Sequence, residues 1–339
     1  MGIALCVAML YRFVALGSVL FLASALRVVL DTDIGDDIDD TWALSTLLQD
    51  DRIDLRLIVT DSYSSTKRAQ VLAKFLSLAG RPYAVPEIAV GPQKEGKALV
   101  MEGWAGPQDL AKFPGRLRDD AAEAIIDQVR AAAADRAKLA ILVLSPCAAV
   151  AQALQKAPWL SRYAQIYAMG GSLFHGHNGT GAPIAEWNVQ ADVPSARVLY
   201  ANLNMTAPLD VAGAAQIAGP AFAKLQQCQV PVVNALMHMY MSWLPRCPWP
   251  PVVHGPQGPA DTTRSSVVYD AVAVTLLPIW EPGRFLESER LRVTVSDKGF
   301  TRPNATGSLI AAGVRWRNIE LWEGLLTSML CGESSAVVA

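Results

Sequence analysis

Short apolar runs alternate with longer amphipathic stretches along this chain of 339 residues. Five runs rich in β-branched residues predict buried parallel strands at residues 27–30, 55–60, 139–144, 165–169 and 205–211. The other stretches predict helices at residues 39–49, 66–79, 119–134, 147–156 and 194–202. We therefore expect an α/β fold with an open, mostly parallel sheet flanked by helices. Ligands of such sheets bind beyond the carboxyl ends of the strands, so polar residues that directly follow a strand are the first site candidates.

The N-terminal segment differs from the rest of the chain, because residues 3–26 are almost wholly apolar and Arg12 is their only charged residue. An apolar run of about ten residues followed by Ala23-Ser24-Ala25 resembles a signal peptide with its small-residue cleavage site. We predict that residues 1–25 are a signal peptide or an N-terminal anchor and that residues 26–339 form a single catalytic domain. The protein is then secreted or periplasmic, and an uncleaved segment is its only membrane attachment. Without such a signal it is cytoplasmic.

Composition narrows the functional classes. The 29 basic and 31 acidic residues nearly cancel to a net charge of −2, so no electrostatic field attracts nucleic acid. The chain is 52% hydrophobic and 18% charged, which excludes intrinsic disorder. Its five cysteines are an odd number without close spacing, and the sequence therefore predicts neither a disulfide framework nor a zinc site.

An acidic cluster ends the first predicted strand. Six aspartates occupy residues 31–40, and their mutual repulsion is relieved most simply by a bound divalent cation. A hard cation such as Ca²⁺ takes about six to eight oxygen ligands. Asp39 and Asp40 also open a predicted helix, where the helix dipole favours carboxylates. That interpretation does not account for Asp31 and Asp33 at the end of the strand.

Two other metal-dependent classes can be compared with this cluster. An EF-hand loop that begins at Asp31 requires Gly and Glu where the chain has Asp36 and Trp42, so this class is excluded. A strand followed by Asp-x-Asp also resembles haloacid dehalogenase-like phosphatases, in which Asp31 would be the nucleophile beside Mg²⁺. That family expects Thr or Val at the position of Gly35. This phosphatase remains an alternative function.

The cluster more closely resembles the opening motif of the inosine/uridine-preferring nucleoside hydrolase family, Asp-x-Asp-x-Gly-x-Asp-Asp-x-x-Ala-Leu. Residues 31–35 and 39–44 fit this motif, with two additional residues between Gly35 and the aspartate pair. Further segments resemble the family in the same order, and they are Leu142 to Pro146, Met169-Gly170-Gly171, Ala185 to Asn188 with Asp192, Pro208 to Val211, and Tyr269 to Ala273. The resemblance covers roughly residues 27–330. It implies a Rossmann-related fold and a homodimer or homotetramer that acts on small nucleosides.

Site roles follow from this resemblance. The implied Ca²⁺ ligands are Asp33, Asp40, the Leu144 carbonyl and Asp270. Asp33 is also the implied general base, and it activates the water that hydrolyses the N-glycosidic bond of a ribonucleoside to give free base and ribose. The implied ligands of the ribose hydroxyls are Asp39, Glu186 and Asn188. Purely structural roles remain open as well. Glu186 and Asn188 could cap or solvate a loop, Asp270 could cap the helix that begins at Ala271, and Asp210 could stabilise the end of a strand.

The chain departs from the family where Tyr269 replaces the usual histidine beside the last metal aspartate. Tyrosine is a poorer proton donor at neutral pH, so the acid that protonates the leaving base is left open. Further candidates are His175 and His177 as catalytic residues, Asn178, Trp187 and His238 as substrate-binding residues, and Trp104 or Trp249 as platforms that stack on the base. The base preference is not predicted. Because of this replacement, a second alternative also remains open: the protein could be an inactive relative of the family that binds metal or riboside without turnover.

Overall fold

A ten-stranded sheet organises the computed structural model, which describes residues 25–80, 86–93, 98–249 and 263–333. The predicted signal peptide lies outside the described residues except for Ala25, and so does the proline-rich segment from residue 250 to 262. Within the described part of the chain, no helix has the length and hydropathy needed to cross a membrane.

The first part of the chain supplies one half of the sheet and its helices. Its elements are β1 (Leu26–Thr32), α1 (Asp39–Gln49), β2 (Ile53–Thr60), α2 (Ser65–Ala79), β3 (Glu87–Val90), α3 (Pro107–Ala111), β4 (Leu117–Arg118) and α4 (Ala121–Ala134). The middle part continues with β5 (Leu139–Val143), α5 (Ala148–Lys156), β6 (Ala164–Met169), α6 (Trp187–Ala191), α7 (Val193–Tyr200), β7 (Met205–Ala207) and α8 (Leu209–Ala212).

The last part adds a small second sheet and an antiparallel edge. Its elements are β8 (Gln216–Ala218), α9 (Gly219–Gln227), α10 (Pro231–Trp243), β9 (Arg264–Val267), α11 (Tyr269–Val274), β10 (Leu286–Val295), β11 (Thr301–Pro303), β12 (Ser308–Trp316) and α12 (Ile319–Leu330). Short 3₁₀ helices lie at Leu160–Arg162, His177–Gly179, Leu244–Arg246, Pro278–Trp280 and Pro282–Arg284.

The strand order is β11-β10-β12-β7-β6-β5-β1-β2-β3-β4. Pairing is parallel from β12 to β4, and β10 is antiparallel to both β11 and β12. The chain proceeds from β1 towards β4 in one direction and from β5 towards β7 in the other. The order therefore reverses between β1 and β5, and the carboxyl ends of this pair form the crevice in which open α/β sheets bind ligands.

Alternating residues of β1 pack into two hydrophobic layers. Val28 and Leu30 belong to the layer covered by α1, α10 and α11, and Val29 belongs to the layer covered by α4, α5 and α7. Each of these three side chains is fully buried. Burial on both faces explains why the strand is apolar throughout rather than alternating with polar residues. The α/β fold with an open, mostly parallel sheet flanked by helices is confirmed.

Two sequence-based expectations are corrected by the fold. The predicted strand at residues 205–211 ends at Ala207, because Pro208 precedes the short helix α8. The cysteines also include a disulfide that their spacing did not predict, between Cys228 and Cys331 with Cα atoms 5.6 Å apart. Helix α9 packs against α12, and this packing joins cysteines that are 103 residues apart in the sequence.

Candidate active site

A cavity of about 350 Å³ lies at the crevice beyond β1 and β5. The loop after β1 and the start of α1 supply an acidic side of its wall, and α11 adds another carboxylate. Among the lining residues are Asp33, Asp39, Leu144, Glu186, Asn188, Tyr269 and Asp270. The cavity therefore gathers residues from several separate segments, all near the carboxyl ends of the sheet strands.

Asp39, Asp40 and Asp270 form a buried trio in this region, with one carboxylate oxygen of each lying within 4.8 Å of the others. Helix α1 begins at the first two residues, and α11 carries the third. The Asp270 side chain caps no helix, and among the described residues its buried Oδ1 atom has no hydrogen-bond partner. Converging buried carboxylates with an unsatisfied oxygen are a suitable donor set for a hard divalent cation.

The trio differs in one member from the ligand set that the resemblance implied. Asp33 lines the same cavity but lies outside the trio, and Asp39 takes part in it. The two additional residues lie between Gly35 and α1, in the loop of residues 33–38 that joins β1 to α1 and is called the acidic loop below. Leu144 also lines the cavity, and the role of its carbonyl oxygen as a metal ligand stays a prediction.

Burial and mutual repulsion dominate the electrostatics of the trio. Desolvation and the neighbouring carboxylates raise the pKa of Asp39, Asp40 and Asp270 well above the ordinary aspartate value. The Thr32 hydroxyl donates a hydrogen bond to Asp40 Oδ1 and partly offsets this effect. A divalent cation between the carboxylates would favour their charged forms and lower these pKa values.

The electrostatic environment of Asp33 includes a nearby positive charge. Burial raises its pKa to about 6, and the nearby guanidinium of Arg68 opposes this rise. A carboxylate with this pKa is mostly ionised at neutral pH and still has appreciable affinity for a proton. These are the properties required of a general base.

Asp31 is fully buried below this cavity. The Ser145 hydroxyl donates to its Oδ1 atom, and burial together with Asp61 raises its pKa well above the ordinary value. Asp31 does not belong to the cavity wall that the described residues form. A substrate in the cavity therefore has no access to Asp31 as a nucleophile, which argues against the phosphatase alternative.

Asn188 and Glu186 lie where β5, β6 and α6 meet. Asn188 Nδ2 donates to the carbonyl oxygens of Leu144 at 3.0 Å and Met169 at 3.3 Å. Glu186 caps α6, since its Oε1 accepts from the backbone N–H of Asn188 at 2.7 Å and its Oε2 from that of Val189 at 3.2 Å. Burial raises the pKa of Glu186 to about 7. Glu186 is thus both a helix cap and part of the cavity wall.

Three histidine candidates and Asn178 differ in their positions relative to the cavity. His177 lines the cavity, whereas His175, His238 and Asn178 are absent from the wall that the described residues form. His238 instead lies beside Trp104, with 6.2 Å between the ring centroids. The roles of His175, Asn178 and His238 therefore stay predictions, and none of the three lines the cavity in the part of the chain that the structure describes.

Aromatic side chains also line the cavity. Trp187, Trp249 and Tyr269 line it, and Trp187 is 48% exposed although it is a large apolar residue. Burial raises the pKa of Tyr269 above its usual value, which keeps its hydroxyl neutral. Trp104 is buried elsewhere, with Lys74 over its ring. Of the two predicted stacking tryptophans, only Trp249 meets the cavity.

Asp210 supports the loop that carries His177. Its carboxylate accepts three backbone N–H groups, from Leu173 at 2.9 Å, Phe174 at 2.8 Å and His175 at 3.0 Å. The side chain stabilises a loop rather than the end of a strand, because Asp210 belongs to α8.

Arg68 is a second supporting residue that the sequence analysis missed. It is fully buried on α2 and forms an ion pair with Asp36 of the acidic loop at 2.9 Å. The signal for Arg68 was its position on the apolar face of the predicted helix, three residues before Val71 and four before Leu72. A basic residue on a buried helix face requires an acidic or carbonyl partner nearby.

The family described as inosine-uridine preferring nucleoside hydrolase matches residues 28–323. No curated protein is significantly similar to this chain in sequence.

Similar solved structures include a plant nucleoside hydrolase, with 18% identity, a TM-score of 0.65 and coverage of 90% of this chain and 99% of that chain. A purine-preferring ribonucleoside hydrolase from Gardnerella vaginalis has 18% identity and a TM-score of 0.66, with 90% and 98% covered. An inosine-uridine preferring nucleoside hydrolase from Bacillus anthracis has 16% identity and a TM-score of 0.61, with 91% and 99% covered. These likenesses establish the fold, and the family match adds the chemistry: the chain belongs to the inosine-uridine preferring nucleoside hydrolases, enzymes that act on N-glycosidic bonds.

Proposed function

We propose that this protein is a Ca²⁺-dependent hydrolase that converts ribonucleosides into free base and ribose. The observation that carries the proposal is the buried trio of Asp39, Asp40 and Asp270 at a cavity whose wall also includes Asp33 and aromatic side chains. Carboxylates suit a cation and sugar hydroxyls, and aromatic side chains suit a planar base. The lining of the cavity therefore includes chemistry for both parts of a nucleoside.

The residues present fit a calcium ion. The trio supplies three carboxylates, and the adjacent Leu144 carbonyl and Asp33 are further oxygen donors at the same cavity. Asn188 donates to the Leu144 carbonyl oxygen, which has a second lone pair for another partner. A bound Ca²⁺ would supply positive charge that makes a neighbouring water molecule more acidic.

The protein's own residues then account for the hydrolysis. Asp33 accepts a proton from water as the water oxygen forms a bond to the anomeric carbon C1′. The bond from C1′ to the base nitrogen breaks, and its electron pair leaves with the base. Positive charge develops on the ribose ring in an oxocarbenium-like transition state, and the surrounding carboxylates stabilise it.

Ribose recognition falls to Asp39, Glu186 and Asn188, which all line the cavity. A carboxylate accepts hydrogen bonds from hydroxyl groups, and the Asn188 amide can both accept and donate them. The backbone contacts of Glu186 hold its carboxyl group in one orientation. This fixed orientation favours one ribose pose over others.

His177 is the histidine that the geometry favours as the acid for the leaving base, because it lines the cavity and His175 and His238 do not. The neutral Tyr269 hydroxyl can donate a hydrogen bond without transferring its proton. Trp187 and Trp249 provide aromatic surfaces against which a base can stack.

The test is the release of reducing sugar from a panel that includes inosine, uridine, adenosine and cytidine. We expect turnover with Ca²⁺, its loss after chelation and its recovery when Ca²⁺ is added back. An inactive relative would release no ribose from any nucleoside although Ca²⁺ raised its melting temperature. Release of phosphate from phosphomonoesters with Mg²⁺ would favour the phosphatase alternative instead.

We further propose that the protein is exported and assembles as a homodimer or homotetramer. The apolar segment at residues 1–25 supports export, and so does the disulfide between Cys228 and Cys331, because disulfides persist mainly in oxidising compartments. A cleaved protein would begin at Leu26 by N-terminal sequencing, whereas an anchored one would stay in the membrane fraction at full length. Light scattering coupled to gel filtration measures the oligomeric state.

A further inference from the structure

Arg68 connects two loops at the carboxyl edge of the sheet. Its Nη1 atom donates to the carbonyl oxygens of Asp33 and Ile34, the latter at 3.2 Å, and its Nη2 atom donates to Asp36 Oδ2 at 2.9 Å. Its Nε atom donates to the Tyr63 carbonyl oxygen at 2.8 Å, in the loop after β2. The guanidinium thus joins the acidic loop to the neighbouring strand connection while the side chain is fully buried.

The rest of the acidic loop is held from other elements. The Met101 backbone N–H donates to the Gly35 carbonyl oxygen at 2.9 Å. Trp243 Nε1, on α10, donates to the Asp36 carbonyl oxygen at 2.8 Å. With the two bonds from Arg68, each of the four consecutive carbonyl oxygens from Asp33 to Asp36 accepts a hydrogen bond from outside the loop.

These hydrogen bonds fix the position of the acidic loop, and α1 begins directly after this loop. The N-cap residue Ile38 has no side-chain hydrogen bond that would fix the first turn, and Asp39 and Asp40 follow it directly. The loop also contains the two residues by which this chain exceeds the family motif. External contacts therefore determine where the loop places Asp33 and where the helix places its first two carboxylates.

The chemistry of the contacts requires arginine. A guanidinium presents five N–H donors in a rigid fork and can serve three backbone carbonyls and a carboxylate together. A lysine ammonium retains the charge but cannot reproduce that geometry. Arg68 also contributes a positive charge beside several buried carboxylates, and the loss of that charge alone would strengthen the attraction for a cation. The two effects predict opposite changes in Ca²⁺ affinity.

We propose that Arg68 is a positioning residue for the reaction: it holds the backbone of Asp33 and Ile34 and, through Asp36, the loop that leads to the aspartates of the trio. The role in the reaction rests on the proposed function, and the role in cation binding does not. Arg68 itself touches neither substrate nor reacting atoms.

The decisive variant is the double substitution Arg68→Met with Asp36→Asn, which removes one positive and one negative charge and leaves no buried ion unpaired. The matched control is Lys67→Met with Glu102→Gln, which removes the ion pair of the adjacent, exposed residue of α2 and makes the same change in net charge. Isothermal titration with CaCl₂ gives the Ca²⁺ dissociation constant of each protein, and nucleoside hydrolysis at saturating Ca²⁺ gives kcat and KM.

We expect the double variant at Arg68 and Asp36 to bind Ca²⁺ about tenfold more weakly and to lose about 10- to 100-fold in kcat, with little change in KM, because small misplacements of reacting groups have costs of this order. The control should match the wild type. Unchanged Ca²⁺ affinity and kcat in the double variant, which a purely electrostatic role predicts because the net charge stays the same, would overturn the proposal, and so would tighter Ca²⁺ binding.

A second variant covers the case in which the double variant does not fold. Arg68→Lys keeps the charge, and we expect it to show the same directions of change. A folded Lys variant with wild-type Ca²⁺ affinity and kcat overturns the proposal. If the wild-type protein hydrolyses no nucleoside, the proposed function fails, and the Ca²⁺ titrations still decide whether Arg68 positions the loop.

Discussion

Asp33 combines burial with a nearby positive charge, and this combination suits it to accept a proton. Burial raises its pKa to about 6, while Arg68 opposes a further rise. Asp39, Asp40 and Asp270 are also buried among like charges, and desolvation and the neighbouring carboxylates raise their pKa values well above the ordinary aspartate value. In the proposed function the trio holds a cation, and Asp33, with a guanidinium nearby, exchanges a proton.

The role of Asp33 is tested by Asp33→Asn. The amide keeps the size of the side chain but cannot accept a proton, so we expect kcat to fall by about 10² to 10⁴, the usual contribution of a general base. Asp51→Asn, at an exposed aspartate, is the control. Steady-state rates at saturating Ca²⁺ measure the effect. A variant with the wild-type kcat would show that another group takes the proton.

The same variant distinguishes the two ligand sets. If the trio alone supplies the protein carboxylates, Asp33→Asn should change the Ca²⁺ dissociation constant little. If Asp33 is itself a ligand, as the family resemblance implies, affinity and turnover should fall together. Calorimetric titration of the variant with CaCl₂ measures the Ca²⁺ dissociation constant independently of the rate.

At the scale of single elements, two loops shape the site: the acidic loop after β1 and the loop after β6 that carries His177. The short helix α8 directs Asp210 to three backbone N–H groups of the loop that carries His177. The acidic loop after β1 is held by Arg68, by Trp243 and by the Met101 backbone. Both loops therefore owe their conformation to side chains or backbone groups of other elements, which suits residues that must be placed accurately.

Asp210→Asn tests the loop that carries His177. One acceptor oxygen becomes an NH₂ group that faces backbone N–H donors, so we expect kcat/KM to fall by about tenfold or more through displacement of His177. Asp120→Asn is a matched control, because Asp120 also accepts a backbone N–H, from Glu123 at 3.0 Å, but at the start of α4. Equal activity of the two variants would mean that the loop position does not affect turnover.

The disulfide between Cys228 and Cys331 joins the end of α9 to the end of α12. A bridge that closes a loop of this length stabilises a protein by about 4 to 5 kcal/mol in the chain-entropy description. We expect Cys228→Ser to lower the melting temperature and to make it insensitive to a reducing agent. Cys247→Ser, at a cysteine outside this bridge, is the control. Identical melting of the wild type with and without dithiothreitol would contradict the bridge.

At the scale of the whole molecule, the buried carboxylates make the stability of the metal-free protein depend on pH. Asp33 has a folded pKa of about 6, above the reference value near 3.9 that it has when unfolded, so the folded state binds its proton more tightly. This contribution to stability is fully present below about pH 4 and is lost as the pH rises through about 6. For Asp33 alone the change is about 3 kcal/mol.

We therefore expect the melting temperature of the metal-free protein to decrease from pH 4 to pH 7, and Ca²⁺ to reverse most of the decrease. Scanning calorimetry with and without Ca²⁺ measures both effects.

Asp270→Asn removes one of the repelling charges, so it should flatten the metal-free profile and weaken the response to Ca²⁺. Profiles that coincide with and without Ca²⁺ would exclude a cation site at the trio.

The sequence by itself determined the local features of this protein. The apolar runs predicted the strands at the centre of the sheet, because strands covered on both faces must be apolar throughout. The aspartates after the first strand predicted acidic chemistry at the carboxyl edge, and the ordered motifs predicted the nucleoside hydrolase family. These properties are carried by neighbouring residues, so they can be read from the chain without coordinates.

Only the tertiary structure decided which distant residues meet. Packing of α11 beside α1 brings Asp270 to Asp39 and Asp40, and packing of α2 against the first loop buries Arg68 among carbonyl oxygens. The pairing of Cys228 with Cys331 arises in the same way, from α9 lying on α12. Sequence separation does not constrain distance through space, and the free energy of burying whole helix faces, rather than any local preference, selects these contacts.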